Sequence, residues 1–230
     1  MTSDAVLAGL RREARAMHAE TAQWVAAALR QRIANGELTP GTKLPEEAFR
    51  EALGVSRNTL REAFVTLNAE RVVNRIPNRG VFVAHPTADD VREIYRVRKL
   101  LEPASILWAP QIDVDHLTAI VGKGRAAVTV GDVPGMASAN QEFHRAVMAS
   151  SGSNRLDALM EQVLAEMRLV FAAMGWDPRF HAPYVEGNER IVDLLAAGQR
   201  GEAAEYLTEY LSQAEEQLVK AVGDTAAVRS

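Results

Sequence analysis

With 230 residues, 47% of them apolar and 24% charged, the chain has the length of two ordinary domains and the composition of a water-facing globular protein. No run of about 18 apolar residues is present to span a membrane, and the N-terminus lacks a basic leader with a cleavage site, so the cytoplasm is the expected compartment. The absence of cysteine excludes disulfides, thiolate metal sites and cysteine nucleophiles, and a net charge of -4 argues against indiscriminate nucleic-acid binding.

That average conceals an asymmetry. Residues 1–86 carry 12 Lys+Arg against 9 Asp+Glu, whereas residues 87–230 carry 14 against 21. A basic head on an acidic body is what a phosphate-facing module joined to a second, non-DNA domain looks like.

Thr21 is a candidate cap for a first helix over residues 22–35, whose apolar Trp24, Val25, Ala28, Leu29 and Ile33 recur at helical spacing before Gly36. Pro40-Gly41 makes a turn, and Pro45 opens a second helix with Ala48, Phe49, Ala52 and Leu53 on its inner side. Gly54 permits a sharp reversal. Ser56 then caps a third helix on which Leu60, Ala63, Phe64 and Leu67 face inward.

Residues 44–64 are therefore written as a helix-turn-helix, whose second helix presents Ser56, Arg57, Asn58, Thr59 and Arg61 to a DNA major groove. Arg grips guanine and Asn grips adenine bidentately, each good pair giving roughly 1–3 kcal/mol of discrimination. The competing reading pairs Arg57 and Arg61 with Glu62 or Glu47 on the surface. Two β-prone runs follow, residues 72–76 and 81–83, joined by Pro77-Asn78-Arg79-Gly80, which sets Arg79 at a hairpin tip beside a glycine that allows close backbone approach.

The runs IANGELTPGTKL, EALGVSRNTLREAF and IPNRGVFV closely resemble the DNA-binding domain of the GntR family of bacterial transcription regulators, over about residues 23–84. The resemblance implies a winged helix-turn-helix in residues 1–86, with DNA contacts at Ser56, Arg57, Asn58, Thr59, Arg61 and the Arg79-Gly80 wing tip. Family members often carry a basic residue early in the second helix where this chain has Glu47; Arg50 is the replacement expected.

Beyond a hinge at His85-Pro86, the pattern is helical throughout. Thr87 and Asp90 form a capping pair for a helix carrying Val91, Ile94, Leu101 and Trp108. Further helices are predicted over residues 115–128, 136–150, 155–174, 184–197 and 201–222, with breaks at Gly131-Pro134-Gly135, Gly152-Ser153, Trp176-Asp177-Pro178 and Gly198-Gln199. Six helices with short connections make residues 87–230 an all-α antiparallel bundle, and the chain as a whole mainly α.

Polar groups on the inward stripes of those helices need partners. Arg98, Asn140, His144, Asn188 and Tyr210 all fall there, and each left unpaired costs about 1–3 kcal/mol, a charge more. Either they satisfy one another or they line a polar cavity. Arg98 is a carboxylate clamp or a buried ion pair with Glu102, Glu142 or Glu166; His144 is a pocket residue or a core histidine bonded to Tyr210 or an amide.

The segments VRKLLEPAS, NQEFHRAVMASSGSNRL and IVDLLAAGQRGEAAEYL resemble the ligand-sensing domain of the FadR-type branch of the same family. The resemblance implies an effector cavity which, in many members, holds a divalent metal on an Asp, a His four residues on and two more His, with an Arg meeting a carboxylate. Here those four metal positions are Asn140, His144, Asn188 and Tyr210. A neutral amide is a poor transition-metal ligand, and a tyrosine must first lose a proton with a pKa of about 10, so no bound metal is expected. His181 and Glu142 are the remaining candidates, but Glu142 is two residues from His144 and faces elsewhere.

The sequence thus predicts a homodimeric DNA-binding regulator, a repressor on a pseudo-palindromic operator, controlled by a carboxylate or acyl effector held by Arg98, Asn140, His144, Asn188 and Tyr210 without a cofactor. Two alternatives stand beside it: a helical domain that only dimerises, and an enzyme using His144 and Glu142 as acid and base.

Overall fold

A computed structural model of the chain describes residues 18, 20–33, 37–173 and 178–229. Asn35, the Gly36 cap, the Met174 end of one predicted helix and the Trp176-Asp177 break lie outside the described residues. The chain divides into two compact units, Met1–His85 and Pro86–Ser230.

In the first unit, helix α1 covers residues 20–33 and buries Val25, Ala26, Leu29 and Ile33. Thr21 lies inside it rather than at its start, because Glu20 is already helical, and Trp24 is exposed on its outer side. Strand β1 (Lys43–Leu44) leads into α2 (Glu46–Leu53). Gly54 closes that helix at φ 65°, its amide reaching the carbonyls of Arg50 and Glu51. None of the α2 residues is fully buried; Phe49 and Leu53, four apart on one face, are half-buried, and Ala48 and Ala52, expected inside, are exposed.

Helix α3 (Arg57–Ala69) buries Leu60, Ala63, Phe64 and Leu67. Strands β2 (Val73–Ile76) and β3 (Gly80–Val83) form the hairpin, Val73 opposite Val83 and Ile76 opposite Gly80. The loop is the three residues Pro77, Asn78 and Arg79; Asn78 takes the left-handed conformation (φ 61°), and Gly80 follows at φ 110°. β1 adds to the far edge of β3, pairing Lys43 with Phe82, which completes an antiparallel sheet in the order β1-β3-β2. The unit is a winged helix-turn-helix.

The second unit is a bundle of α4 (Ala88–Trp108), α5 (Val114–Val130), α6 (Val133–Ala149), α7 (Asn154–Ala173), α8 (Pro178–Ala196) and α9 (Arg200–Arg229). The capping box opens α4: the Asp90 amide donates to Thr87 Oγ1 at 3.2 Å, and the Thr87 amide to Asp90 Oδ2 at 2.8 Å. Helix α4 packs mainly on α9, α5 on α6 and α8, and α8 on α9, around Phe143, Ile191, Leu207 and Leu211. Helix α8 begins at Pro178, six residues before the predicted start, and runs through Pro183. Pro183 withholds one amide from the ladder in the second turn of that helix. Among the described residues no helix is long and apolar enough to cross a membrane.

Candidate DNA interface and effector site

The start of α3 is organised by its cap. Ser56 Oγ accepts from the Thr59 amide at 3.1 Å and lies 2.7 Å from Thr59 Oγ1, which in turn is 2.8 Å from His18 Nδ1. Thr59 is therefore only 3% exposed. Of the residues expected at a groove, Ser56, Arg57, Asn58 and Arg61 are exposed, whereas the Thr59 hydroxyl is turned inward and spent on positioning the helix start.

The arginines are held by α2. Arg57 reaches Glu47 Oε2 at 3.4 Å, Arg61 Nε donates to Glu46 Oε2 at 3.1 Å, and Arg50 Nη2 donates to Glu47 Oε1 at 2.6 Å. The partners are Glu46 and Glu47 rather than Glu62. Arg50 and then Arg57 hold the Glu47 carboxyl below its usual range, through hydrogen bonds and charge. Such solvent-screened surface pairs contribute little and do not compete with a phosphate. Elsewhere Arg30 grips Glu70 with both its Nε (2.8 Å) and Nη2 (2.6 Å). At the wing, Arg79 is exposed with its guanidinium 5.9 Å from the Phe82 ring centroid, and Lys43 approaches the same ring at 5.9 Å.

In the helical unit, the five candidate effector residues form one network, and its hub is Glu102. Arg98 Nε donates to Glu102 Oε1 at 2.6 Å, and His144 Nδ1 lies 2.6 Å from Glu102 Oε2. The His144 ring stacks on Tyr210 with centroids 6.0 Å apart, the Tyr210 hydroxyl donates to Asn140 Oδ1 at 3.3 Å, and Asn188 Nδ2 donates to the same oxygen at 2.9 Å. Arg98 is 2% exposed and lies over the Tyr95 ring at 4.9 Å. Of the alternatives open for Arg98, the structure shows the ion pair with Glu102. His144 differs from both partners expected of a core histidine: it bonds a carboxylate, not Tyr210 or an amide. Glu142 instead pairs with Lys123 on the outside at 2.8 Å, and His181 packs among the rings of Phe171 and Phe180.

Burial raises a carboxyl pKa, yet the charge of Arg98, with hydrogen bonds from His144 and Arg98, outweighs it and holds Glu102 at about 2. Burial lowers His144, and Arg98 adds to this against the pull of Glu102, so the imidazole is neutral at pH 7. A neutral ring donating from Nδ1 leaves Nε2 with a lone pair. Burial also pushes the Tyr210 hydroxyl well above its ordinary value.

Three buried atoms in this network lack a hydrogen-bond partner: Arg98 Nη2, a donor, and His144 Nε2 and Asn188 Oδ1, both acceptors. Beside Asn140 and Asn188 a small recess is lined by Ile120, Val121, Gly124, Ala139, Phe143 and Val185. For a transition metal this donor set is poor. Asn140 Oδ1 already accepts two hydrogen bonds, Tyr210 holds its proton, and among the described residues no group of three His, Asp or Glu is placed to hold an ion.

Sequence reasoning named Glu102 only as one ion-pair partner for Arg98. Its (i, i+4) spacing to Arg98 was legible, but its bond to His144 joins α4 to α6. Gly187 was missed altogether. A Cβ there would stand 2.6 Å from Tyr210 Cε2, so the absence of a side chain next to Asn188 is what lets the Tyr210 ring enter.

A model of the gntR family of bacterial regulatory proteins matches residues 21–83, and an FCD domain model matches residues 93–213. A crystal structure of a GntR transcriptional regulator from Rhodococcus sp. RHA1 is 40% identical over 87% of this chain and 98% of its own, with a TM-score of 0.82. The galactonate operon transcriptional repressor of Escherichia coli is 26% identical over 77% of this chain and 87% of its own. The gluconate operon transcriptional repressor of Bacillus subtilis is 35% identical over 46% of this chain and 43% of its own.

Proposed function

Since this chain belongs to the GntR family of bacterial regulatory proteins and carries an FCD domain, we propose that it is a cytoplasmic repressor whose operator affinity is set by a small hydroxycarboxylate. It is a transcriptional regulator and not an enzyme. Two copies place their α3 helices on a pseudo-palindromic operator. Arg57, Asn58 and Arg61 address base edges, Ser56, Arg50, Arg79 and Gly80 address the backbone, and Thr59 holds the helix start in place.

The effector reading rests on the three unpartnered atoms. A carboxylate satisfies Arg98 Nη2, and hydroxyls donate to His144 Nε2 and Asn188 Oδ1, with Asn140 and Tyr210 fixing the amide and the ring. That is the pattern of a polyhydroxy acid, and the relatives named for gluconate and galactonate operons fit it. The donor set favours binding without a metal. Repression is relieved when the effector prefers the arrangement that does not fit DNA; it lowers operator affinity only by its differential affinity for the two states.

The Arg98–Glu102 pair favours a second reading, because the clamp already holds a carboxylate: the bundle is then a dimerisation scaffold with no effector. Thermal-shift measurements on metal-stripped protein separate the two. Stabilisation by hydroxycarboxylates supports the effector reading, no stabilisation by any acid supports the scaffold, and stabilisation by zinc or nickel alone overturns the metal-free site.

A further inference from the structure

His18 is exposed, yet its ring meets the start of α3 from 41 positions away. Its Nδ1 lies 2.8 Å from Thr59 Oγ1, nearer than Nε2 at 3.5 Å, and Thr59 Oγ1 lies 2.7 Å from Ser56 Oγ. Ser56 Oγ in turn accepts from the Thr59 amide at 3.1 Å. Thr59 is buried in the middle of this run of hydrogen bonds, and Ser56 at its far end is exposed.

Two proton arrangements satisfy the run. Each hydroxyl has one proton and two lone pairs, and an imidazole nitrogen has either a proton or a lone pair. With a lone pair on His18 Nδ1, the Thr59 hydroxyl donates to the ring and accepts from Ser56. The Ser56 proton is then used inward, and its hydroxyl turns only a lone pair outward, which repels a phosphate oxygen. With a proton on Nδ1 every side-chain bond reverses: the ring donates to Thr59, and Thr59 donates to Ser56. Ser56 Oγ now accepts from both the amide and the hydroxyl of Thr59, so its own proton points outward, where a phosphate accepts it. The first turn of α3 carries no acidic side chain to oppose that anion. A neutral imidazole carries its proton on either nitrogen, so the reversal needs a change of tautomer and no change of charge.

We propose that His18 is a positioning residue of the DNA interface: through Thr59 it sets the direction of the Ser56 hydroxyl, and a backbone phosphate selects the ring with its proton on Nδ1. The proposal rests on the reading of Ser56 as a backbone contact and names the group that orients it. Thr59 then does more than hold the helix start, because its buried hydroxyl carries the proton order of the ring to the surface.

Methylphosphonate scanning of a selected operator, read by anisotropy on the full chain, tests this. The phosphate that partners Ser56 is the one whose neutralisation weakens the wild type but not Ser56→Ala. His18→Ala and Thr59→Val lose the response at that same phosphate. On the unmodified operator His18→Ala weakens binding about fivefold, the size of one net hydrogen bond, and adds nothing in the Ser56→Ala background. The ring-nitrogen resonances of His18, identified by their loss in His18→Ala, show Nδ1 protonated in the operator complex, a readout that a purely structural role would not move. A His18→Ala variant that keeps the response at that phosphate, or an Nδ1 without a proton in the complex, overturns the relay. A Ser56→Ala variant that responds to every phosphate as the wild type does overturns the Ser56 contact on which the relay rests.

Discussion

Glu102 and His144, 42 positions apart in the chain, meet in the core of the bundle with His144 Nδ1 2.6 Å from Glu102 Oε2. The same carboxylate binds Arg98 through its other oxygen at 2.6 Å, so one acid on α4 satisfies a cation on its own helix and an imidazole on α6. Removing it by Glu102→Gln leaves a buried guanidinium without a counter-charge, which destabilises the protein by about 3–5 kcal/mol in urea unfolding. Replacing both members, Arg98→Met with Glu102→Leu, costs much less, because the charge is removed with its partner.

The same network sets the response to acid. Glu102 is lowered on folding from 4.5 to about 2, so its contribution is complete above pH 4.5 and fades as the pH falls towards 2. His144 is also lowered on folding from 6.5, so its contribution is present above pH 6.5 and fades below it, as the unfolded chain takes up a proton that the folded one refuses. Unfolding free energy measured against pH therefore falls on the acid side of 6.5, and His144→Gln flattens the upper part of that fall.

Gly187→Ala brings a methyl group to within 2.6 Å of the Tyr210 ring. The ring must leave its place on His144 and Asn140, which costs about 1–3 kcal/mol by overpacking. Tyr210→Phe keeps the ring and does not relieve the strain; Tyr210→Val does, and a double-mutant cycle by chemical denaturation reads the coupling.

Much of the head was legible because its signals are local. Ser56 caps α3 three residues from the amide it binds, Gly54 sits at the φ that demands it, and the hairpin turn lies between its own strands. What escaped was non-local. Strand β1 is two residues long and exists only because Val81 and Phe82 are beside it. Thr59 has the spacing of a groove residue, and its burial depends on His18, 41 positions earlier. In the bundle the inward position of Arg98, Asn140, His144, Asn188 and Tyr210 followed from helical period, but which atoms meet depended on helix packing. The helix predicted over residues 184–197 is longer at its front, since α8 spans Pro178–Ala196 and carries Pro183 inside it.

Metal binding is one triple change away. Asn140→Asp, Asn188→His and Tyr210→His, added to His144, supply a carboxylate and three imidazoles, the donors zinc and nickel prefer. The triple variant shows a zinc-dependent rise in melting temperature, and the wild type treated in the same way shows none.

At the DNA, Arg57→Ala and Arg61→Ala each weaken the selected operator by about 1–3 kcal/mol and relax base preference at one position. Arg50→Ala and Arg79→Ala weaken all sequences alike and reduce the slope of log affinity against log salt by about one. Electrophoretic mobility shifts over a salt series distinguish the two behaviours.

An acid bound among Arg98, His144 and Asn188 is expected to loosen the hold of the head on DNA. Fluorescence anisotropy of a labelled operator duplex, chosen by selection from random sequence, reads this directly when gluconate or galactonate is titrated into the complex. Operator affinity falls on the order of tenfold, a coupling of about 1.4 kcal/mol, in the wild type and not in Asn188→Leu. An affinity unchanged by every hydroxycarboxylate, or one that falls equally in Asn188→Leu, contradicts it.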